Sequence, residues 1–329
     1  MKILILPQRI AHLKNESSHP HFFKPEYRGK IQRAGGKRMH IFVALNEKEA
    51  RMHIPDADII AGFPMTFPSL ASAKKLKWLH SFSAGVDRVL VPEVMDAPIL
   101  VSNSSGIHAT PIAEHLIGFM LLFTRGFYRT FRNQEKRIWN KDETISELGG
   151  KTVLIAGLGD IGMETARLCH AFGARVLAIA RSRKEQPDFV DELKTGVYLD
   201  KMLSKADFIA ICLPHTNKTH HLFDIKKFKL MKKSAIVMNI GRGGIINEKD
   251  LIEALRKKII GGAGLDVTEV EPLPKSSPLW NIENVVITPH HSGLSEKYMD
   301  RAIELFCENL KLYVQGKPLL TEVDKKKGY

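Results

Sequence analysis

Gly157-Leu158-Gly159-Asp160-Ile161-Gly162 is the stretch of sequence that decides the fold. It follows an apolar segment at 153–156 and opens an amphipathic helix predicted at 163–172. In this context a GxGxxG pattern is typical of a dinucleotide-binding loop. Its first glycine permits the tight turn, its second lets a pyrophosphate approach the backbone, and its third lets the helix pack closely on the strand. The predicted phosphate-binding residues are Gly157, Gly159, Asp160, Ile161 and Gly162.

Strand and helix patterns alternate on both sides of this loop. Before it, strands are predicted at 2–6, 39–45, 57–61, 76–82 and 99–102, with helices at 46–51 and 69–75. From the strand that leads into the loop onward, strands are predicted at 152–156, 175–180, 208–213, 235–239, 262–267 and 285–288. Continuous apolar runs of this kind, separated by helices, favour parallel sheets that are buried on both faces. The sequence therefore predicts an α/β protein.

Two domains suit a chain of 329 residues. We predict a dinucleotide-binding domain at 102–293 and a discontinuous substrate domain at 1–101 plus 294–329, because a last helix at 295–314 can return to the first domain. A helix predicted at 110–125 is apolar around nearly its whole circumference, which indicates burial within a domain or at a subunit interface. The polar segment at 129–147 is interpreted as an extended arm.

Composition excludes several classes of protein. The chain is 44% hydrophobic, so a disordered or low-complexity protein is excluded, and no apolar run is long enough for a membrane helix. The net charge is +13, but Lys and Arg are dispersed and no nucleic-acid-binding motif accompanies them, so nucleic acid is not the expected partner. Three cysteines without a CxxC pair and the absence of a secretion signal favour the cytoplasm. The 14 histidines form no metal-binding motif, and no metal is predicted.

The end of the first strand after the loop, predicted at 175–180, bears on cofactor choice. An NAD-binding fold places Asp or Glu there to bind the ribose hydroxyls, whereas this chain has Ala180 followed by Arg181, Ser182 and Arg183. Nothing at this position repels a 2′-phosphate, and arginine suits phosphate geometry. The sequence therefore predicts a preference for NADPH, with NADH possible.

Three more segments follow predicted strands: Asn239-Ile240-Gly241-Arg242-Gly243-Gly244, 264–272 (GLDVTEVEP) and 288–293 (TPHHSG). Reduction of a 2-oxo acid needs a cation for the substrate and a proton donor that titrates near neutral pH. Arg, His and a carboxylate have these properties, although each residue alone also has a structural interpretation.

Together with the glycine loop, these segments resemble the D-isomer-specific 2-hydroxyacid dehydrogenases in order and spacing. The resemblance extends to 83–87 (SAGVD) and to Ala113-Glu114-His115. It implies two doubly wound, Rossmann-like domains with an active-site cleft between them. It also implies a homodimer, with the contact in the 110–150 region.

The resemblance further implies a catalytic set. Arg242 would bind and polarise the 2-oxo acid, and His290 would be the general acid in reduction. Glu271 would pair with His290 and keep it protonated, since a neighbouring carboxylate stabilises imidazolium. Glu271 is chosen over Glu269 because it immediately precedes the proline, and His290 is chosen over His291 because it directly follows Thr-Pro.

Other residues are assigned to ligands by the same resemblance. Backbone N–H groups of Ala84 and Gly85 would bind the substrate carboxylate, and Asp266 and Pro214 would contact the cofactor. The substrate side chain would meet the loop at 62–69, whose composition suggests an apolar wall.

The missing acid at Ala180 resembles the NADPH-dependent glyoxylate/hydroxypyruvate reductases, and Glu271 argues against formate dehydrogenases, which have Gln there. The expected function is reduction of a small 2-oxo acid to the D-2-hydroxy acid. Two alternatives stay open. One is a short phosphoglycerate dehydrogenase-like enzyme that uses NAD, and the other is a dinucleotide-sensing, corepressor-like binding protein.

Overall fold

The computed structural model describes residues 1–7, 23–63, 70–86, 88–141, 145–181 and 185–327. The chain divides into two compact units. The first comprises Met1–His108 with Leu294–Tyr329, and the second comprises Ala109–Gly293.

The first boundary therefore lies after His108, whereas the sequence places it after residue 101. Hydrogen bonds explain the difference. The Asn103 side chain donates to Ala84 O at 2.7 Å, and the Ser104 N–H donates to Ser83 O at 3.2 Å. These contacts tie the segment after the fifth strand to the first unit.

Within the described residues, each unit contains one sheet, and its neighbouring strands are parallel. The first sheet has the order β2-β1-β3-β4-β5, with β1 (Lys2–Leu6), β2 (His40–Val43), β3 (Ile59–Gly62), β4 (Trp78–Ser81) and β5 (Leu100–Ser102). The second has the order β12-β11-β10-β9-β6-β7-β8, with β6 (Thr152–Ala156), β7 (Arg175–Ala180), β8 (Glu192–Thr195), β9 (Phe208–Ile211), β10 (Ile236–Asn239), β11 (Gly262–Leu265) and β12 (Val285–Ile287).

Helices connect and cover these strands. They are α1 (Pro25–Gly35), α2 (Glu47–His53), α3 (Pro92–Asp96), α4 (Ala109–Thr124), α5 (Phe127–Glu135), α6 (Asp160–Ala171), α7 (Leu199–Leu203), α8 (Ile225–Leu230), α9 (Glu248–Arg256) and α10 (Tyr298–Val314). The C-terminal helix α10 belongs to the first unit and packs against α1 in a shared core.

Both sheets are buried on their two faces. In β6, Leu154 and Ala156 face one apolar core, and Val153 and Ile155 face another. In β1, Ile3 and Ile5 face one apolar core, and Leu4 and Leu6 face another. A strand covered on both sides must be apolar at successive positions, which confirms the predicted α/β fold with parallel sheets.

Some predicted elements are wrong. The arm predicted at 129–147 is helical at its start, since α5 extends to Glu135. Phe127 and Phe131 are four positions apart and therefore lie on one face of α5, where their rings stack with centroids 6.2 Å apart. The helix predicted at 69–75 is only a 3-10 turn at Leu70–Ser72. The strand β8 was not predicted, since its sequence Glu-Leu-Lys-Thr is polar and lies at a sheet edge.

His80 on β4 is fully buried in the first unit. Its Nδ1 lies 2.7 Å from Ser102 Oγ, which also accepts a 2.7 Å hydrogen bond from Trp78 Nε1. Burial lowers the pKa of His80 to about 3, so the folded chain holds this imidazole neutral.

We expect His80 to make folding sensitive to mild acid. In the unfolded chain the pKa of His80 is about 6.5. At pH values between the folded and the unfolded pKa, only the unfolded state binds the proton. The free energy of unfolding therefore falls as the pH falls through this range. From pH 6 to pH 5 the free energy of unfolding of the wild type should fall by about 1 kcal/mol more than that of His80→Gln. Urea unfolding at both pH values measures this difference, and equal pH slopes would contradict it.

Candidate active site

The functional segments of the second unit all follow the carboxyl ends of parallel strands, which lie at one edge of a sheet. The segments are Gly157 after β6, Arg181 after β7, Pro214 after β9, Arg242 after β10, Asp266 after β11 and His290 after β12. The glycine loop follows β6, from which the chain order runs outward in both directions. Ligands of open α/β sheets bind at such a switch point. Along this edge, Arg181 lies on one side of the glycine loop, and Arg242, Asp266 and His290 lie on the other side.

The glycine loop has the geometry that a dinucleotide requires. Gly157 has a φ of +108°, and a Cβ there would lie 2.6 Å from Cys212 O. A Cβ at Gly162 would lie 2.1 Å from Gly157 O, whereas one at Gly159 would meet no atom within 4 Å. The first and third glycines are thus needed for the turn and its packing, and the second faces open space. No side chain caps α6, whose first turn contains Asp160 and Ile161, so the residues present fit a pyrophosphate at this helix N-terminus.

The residues predicted to distinguish NADPH from NADH lie only partly within the described chain. Ala180 ends β7 and is buried, and Arg181 is exposed beside it. Ser182 and Arg183 lie outside the described residues. On the other side of the loop, Pro214 is exposed and its carbonyl accepts a 2.7 Å hydrogen bond from Thr219 Oγ1.

Arg242 lies on a turn that is held by the buried side chain of Asn239. Asn239 Oδ1 accepts from the Gly241 N–H at 3.1 Å, and its Nδ2 donates to Arg242 O at 3.0 Å. The Arg242 guanidinium is half-buried and donates to Gly241 O at 2.9 Å. The backbone that carries this cation is therefore fixed before any ligand binds.

Glu271 and His290 form a hydrogen-bonded pair. His290 Nδ1 lies 2.7 Å from Glu271 Oε2, and the His290 side chain is 51% exposed. A carboxylate at Nδ1 makes that nitrogen the donor and leaves Nε2 to exchange a proton with a ligand. His290 has a φ of +52°, a left-handed conformation that is uncommon for a residue with a side chain. Its N–H donates to Asp266 O at 2.8 Å, which holds this conformation.

The Asp266 carboxylate is buried beneath the loop that carries His290. It accepts hydrogen bonds from Thr288 Oγ1 at 2.6 Å, from the His291 N–H at 3.0 Å and from the Ser292 N–H at 3.1 Å. Burial alone would raise the pKa of Asp266, but these hydrogen bonds outweigh it and lower the pKa below its usual range. A cofactor contact was predicted for this residue. The structure shows its carboxylate holding the backbone on either side of His291.

His115 on α4 extends this network. Its Nε2 lies 3.0 Å from Thr288 Oγ1, and burial lowers its pKa despite the nearby Asp266 charge. Within the described residues, His115, Asp266 and His291 also bring possible metal-ligand atoms within 4.8 Å of one another. Because the Asp266 oxygens already accept several hydrogen bonds, we interpret this group as a hydrogen-bonded support.

The predicted substrate-carboxylate loop belongs to the first unit. Ala84 and Gly85 are half-buried, and the loop is held by Asn103 at Ala84 O and by Tyr298, whose hydroxyl donates to Phe82 O at 3.0 Å. Of the predicted substrate-side-chain loop, only Gly62 and Phe63 are described, and 64–69 lie outside the described residues.

Sequence reasoning missed the partner of Glu269. The structure places Glu269 Oε1 2.7 Å from His221 Nε2, while Glu271 faces His290. Glu269 and Glu271 are only two positions apart, so motif spacing does not show which of them contacts His290. The proline that follows Glu271 is the feature of the sequence that distinguishes the two acids.

Residues 117–292 match the family model described as D-isomer specific 2-hydroxyacid dehydrogenase, NAD binding domain. This match spans more than half of the chain. The chain belongs to the D-isomer specific 2-hydroxyacid dehydrogenase family. It is therefore an oxidoreductase of the NAD(P)-dependent class that acts on CH–OH groups, and its second unit binds a nicotinamide dinucleotide.

Individual members of the family are similar over most of this chain. Glyoxylate reductase of Thermofilum pendens is 32% identical over 250 residues, which cover 74% of each chain. D-3-phosphoglycerate dehydrogenase of Methanocaldococcus jannaschii is 32% identical over 84% of this chain but only 54% of its own length. The NADPH-dependent glyoxylate/hydroxypyruvate reductase of Sinorhizobium meliloti, solved in complex with NADP and sulfate, has a TM-score of 0.81 at 26% identity, covering 100% of this chain and 99% of that one.

The family fold agrees with the two Rossmann-like units described above. Across the described ranges, every helix is too short or too polar to cross a membrane.

Proposed function

We propose that this dehydrogenase reduces a small 2-oxo acid of the glyoxylate or hydroxypyruvate type to the D-2-hydroxy acid, with NADPH as the preferred cofactor. The observation that carries the proposal is the Glu271–His290 pair, 2.7 Å apart, at the same sheet edge as the glycine loop. This pair supplies a proton donor beside a site that fits a dinucleotide. The similarity to glyoxylate reductases supports the substrate class.

Each residue of the site has a distinct task in this reaction. When bound, NADPH supplies the hydride for the carbonyl carbon. The Arg242 guanidinium binds the substrate carboxylate and polarises the carbonyl, while the N–H groups of Ala84 and Gly85 hold the carboxylate. His290 Nε2 donates the proton to the carbonyl oxygen, and the same atom accepts it in the reverse direction. Glu271 at Nδ1 orients the imidazole and stabilises its protonated form.

The rate of NADPH oxidation with a panel of 2-oxo acids tests this function. Turnover of glyoxylate and hydroxypyruvate, with lower efficiency for NADH, is the expected result. Faster oxidation of 3-phosphoglycerate with NAD would favour the second candidate, a short phosphoglycerate dehydrogenase, which the similarity to the Methanocaldococcus jannaschii enzyme supports. Dinucleotide binding without turnover of any substrate would instead favour a sensor protein.

Cofactor choice should depend on Ala180 and Arg181. Because one exposed Arg–phosphate contact contributes about 1–2 kcal/mol, or about tenfold in affinity, Arg181→Ala should raise KM for NADPH about tenfold and leave KM for NADH nearly unchanged. Ala180→Asp should turn preference toward NADH, since a carboxylate binds ribose hydroxyls and repels a 2′-phosphate.

Steady-state kinetics with both cofactors measures these changes. Arg175→Ala is the matched control, because Arg175 is an exposed arginine at the opposite end of β7. A wild-type enzyme that prefers NADH, or uses both cofactors equally well, would contradict the assignment.

We also propose a homodimer with its contact in the 110–150 region. Among the described residues, several large apolar side chains there are exposed, namely Phe127 (44%), Phe131 (55%), Ile138 (52%), Trp139 (89%) and Ile145 (52%). Exposed apolar side chains grouped along one segment are typical of a subunit interface.

A further inference from the structure

His221 joins the turn that carries Arg242 to the loop that carries Glu271. Its backbone N–H donates to Gly244 O at 2.8 Å, and its Nε2 lies 2.7 Å from Glu269 Oε1. His221 has a φ of +49°, so its backbone and ring reach these two segments from a left-handed conformation. One residue thereby contacts both elements on which the proposed chemistry depends.

The two segments also touch each other directly. A Cβ at Gly243 would lie 1.9 Å from Thr268 O and 2.5 Å from Glu269 N, so the two backbones meet with no room for a side chain. On the far side of this contact, the Thr268 N–H donates to Glu271 Oε1 at 3.2 Å. A displacement of Glu269 must therefore move Thr268 and change how Glu271 is held.

Glu269 is held from a second direction by the N-terminus of α9. The Glu248 N–H donates to Glu269 Oε1 at 3.2 Å, and the Glu269 N–H donates to Glu248 Oε2 at 3.1 Å. Burial raises the pKa of Glu248, and the neighbouring Glu269 charge raises it further. Glu269 Oε1 thus accepts from the Glu248 N–H on one side and lies 2.7 Å from His221 Nε2 on the other.

Two more histidines lie beside this pair. The His220 ring stacks on His221 with centroids 3.9 Å apart, and His215 Nε2 lies 3.1 Å from His220 Nδ1. Among the described residues, Glu248 and His220 are titratable groups in contact with the His221–Glu269 pair, and His215 contacts His220.

We propose that His221 and Glu269 are positioning residues that hold Glu271 against His290 and set its place relative to Arg242. Neither side chain is assigned a contact with substrate or cofactor. The inference rests on the proposed roles of Glu271 and His290.

A double-mutant cycle of Glu269→Gln with Glu271→Gln tests this proposal. Contacting residues couple strongly, so Glu269→Gln should lower kcat/KM for 2-oxo acid reduction about tenfold in the wild-type background and by less than about twofold when Glu271→Gln is already present. The pH midpoint of the His290 imidazole NMR signal should fall in Glu269→Gln, in the same direction as in Glu271→Gln. His221→Asn should reproduce both effects of Glu269→Gln, because Asn tolerates a positive φ but is too short to reach Glu269.

Glu253→Gln is the matched control, because it removes a carboxylate of α9 that forms a surface ion pair with Lys257 at 2.8 Å, and it should change neither readout. Equal effects of Glu269→Gln in both backgrounds, or an unchanged His290 midpoint, would overturn the positioning role. Thermal unfolding identifies a misfolded variant, in which case His221→Asn decides. If the wild type reduces no 2-oxo acid, the proposed function fails, but the NMR midpoints still test the positioning role.

Discussion

Replacement of His290 by Gln is expected to lower kcat for 2-oxo acid reduction by about 10²–10⁴-fold, the usual contribution of a general acid. Glutamine can still accept or donate a hydrogen bond, but it cannot deliver a proton at neutral pH. The glycine loop that would bind the cofactor lies on another segment, so the Kd for NADPH should stay near its wild-type value. Single-turnover kinetics and NADPH fluorescence titration measure the two quantities separately.

Two further histidine variants make this result specific. His170→Gln, at an exposed position near the end of α6, should retain wild-type activity. His291→Gln tests the choice between the adjacent histidines, since only His290 faces Glu271. Loss of activity in His291→Gln, with normal activity in His290→Gln, would show that the proton donor was assigned to the wrong ring.

The parts of the fold that could be predicted from sequence are those that local pattern determines. The strands at 2–6, 152–156 and 175–180 have the predicted bounds, because continuous apolar runs between helices are unambiguous. Helix α1 was missed because only Tyr27 and Ile31 of its residues are buried, and a mostly polar segment gives little periodic signal. Its partner α10 lies more than 260 residues further along the chain, so nothing nearby in sequence indicates the contact.

The same limit applies to the site. The order of motifs places Arg242, Glu271 and His290 after successive strands, and parallel pairing then brings these strand ends to one edge. The residues that support them could not be found in this way. His115 meets Thr288 across 173 positions, and His221 and Glu269 follow two different strands, β9 and β11. Such partners depend on tertiary packing, whereas the catalytic candidates occur in motifs that can be recognised.

Replacement of Arg242 by Ala is expected to lower kcat/KM for 2-oxo acid reduction by about 10²–10³-fold, the usual cost of removing one group that stabilises developing negative charge. Arg242 should contact both the carboxylate of the bound substrate and the carbonyl oxygen that gains charge, so KM should rise while kcat falls. Asn239 holds the backbone of the turn at both Gly241 and Arg242. The loss of kcat/KM, expressed as a free energy, should therefore exceed any decrease in the free energy of unfolding.

Arg242→Lys gives the sharper comparison, because it keeps the positive charge and removes only the planar fork of the guanidinium. An ammonium cannot contact carboxylate and carbonyl in parallel, so its activity should lie between those of Arg242→Ala and the wild type. Arg256→Ala, at an exposed position at the end of α9, is the control for loss of an arginine from this unit. Steady-state kinetics and thermal unfolding of the three variants distinguish catalysis from folding. If Arg242→Ala folds normally and keeps near-wild-type kcat/KM, Arg242 has no part in the reaction, and the cation that binds the 2-oxo acid must come from another segment.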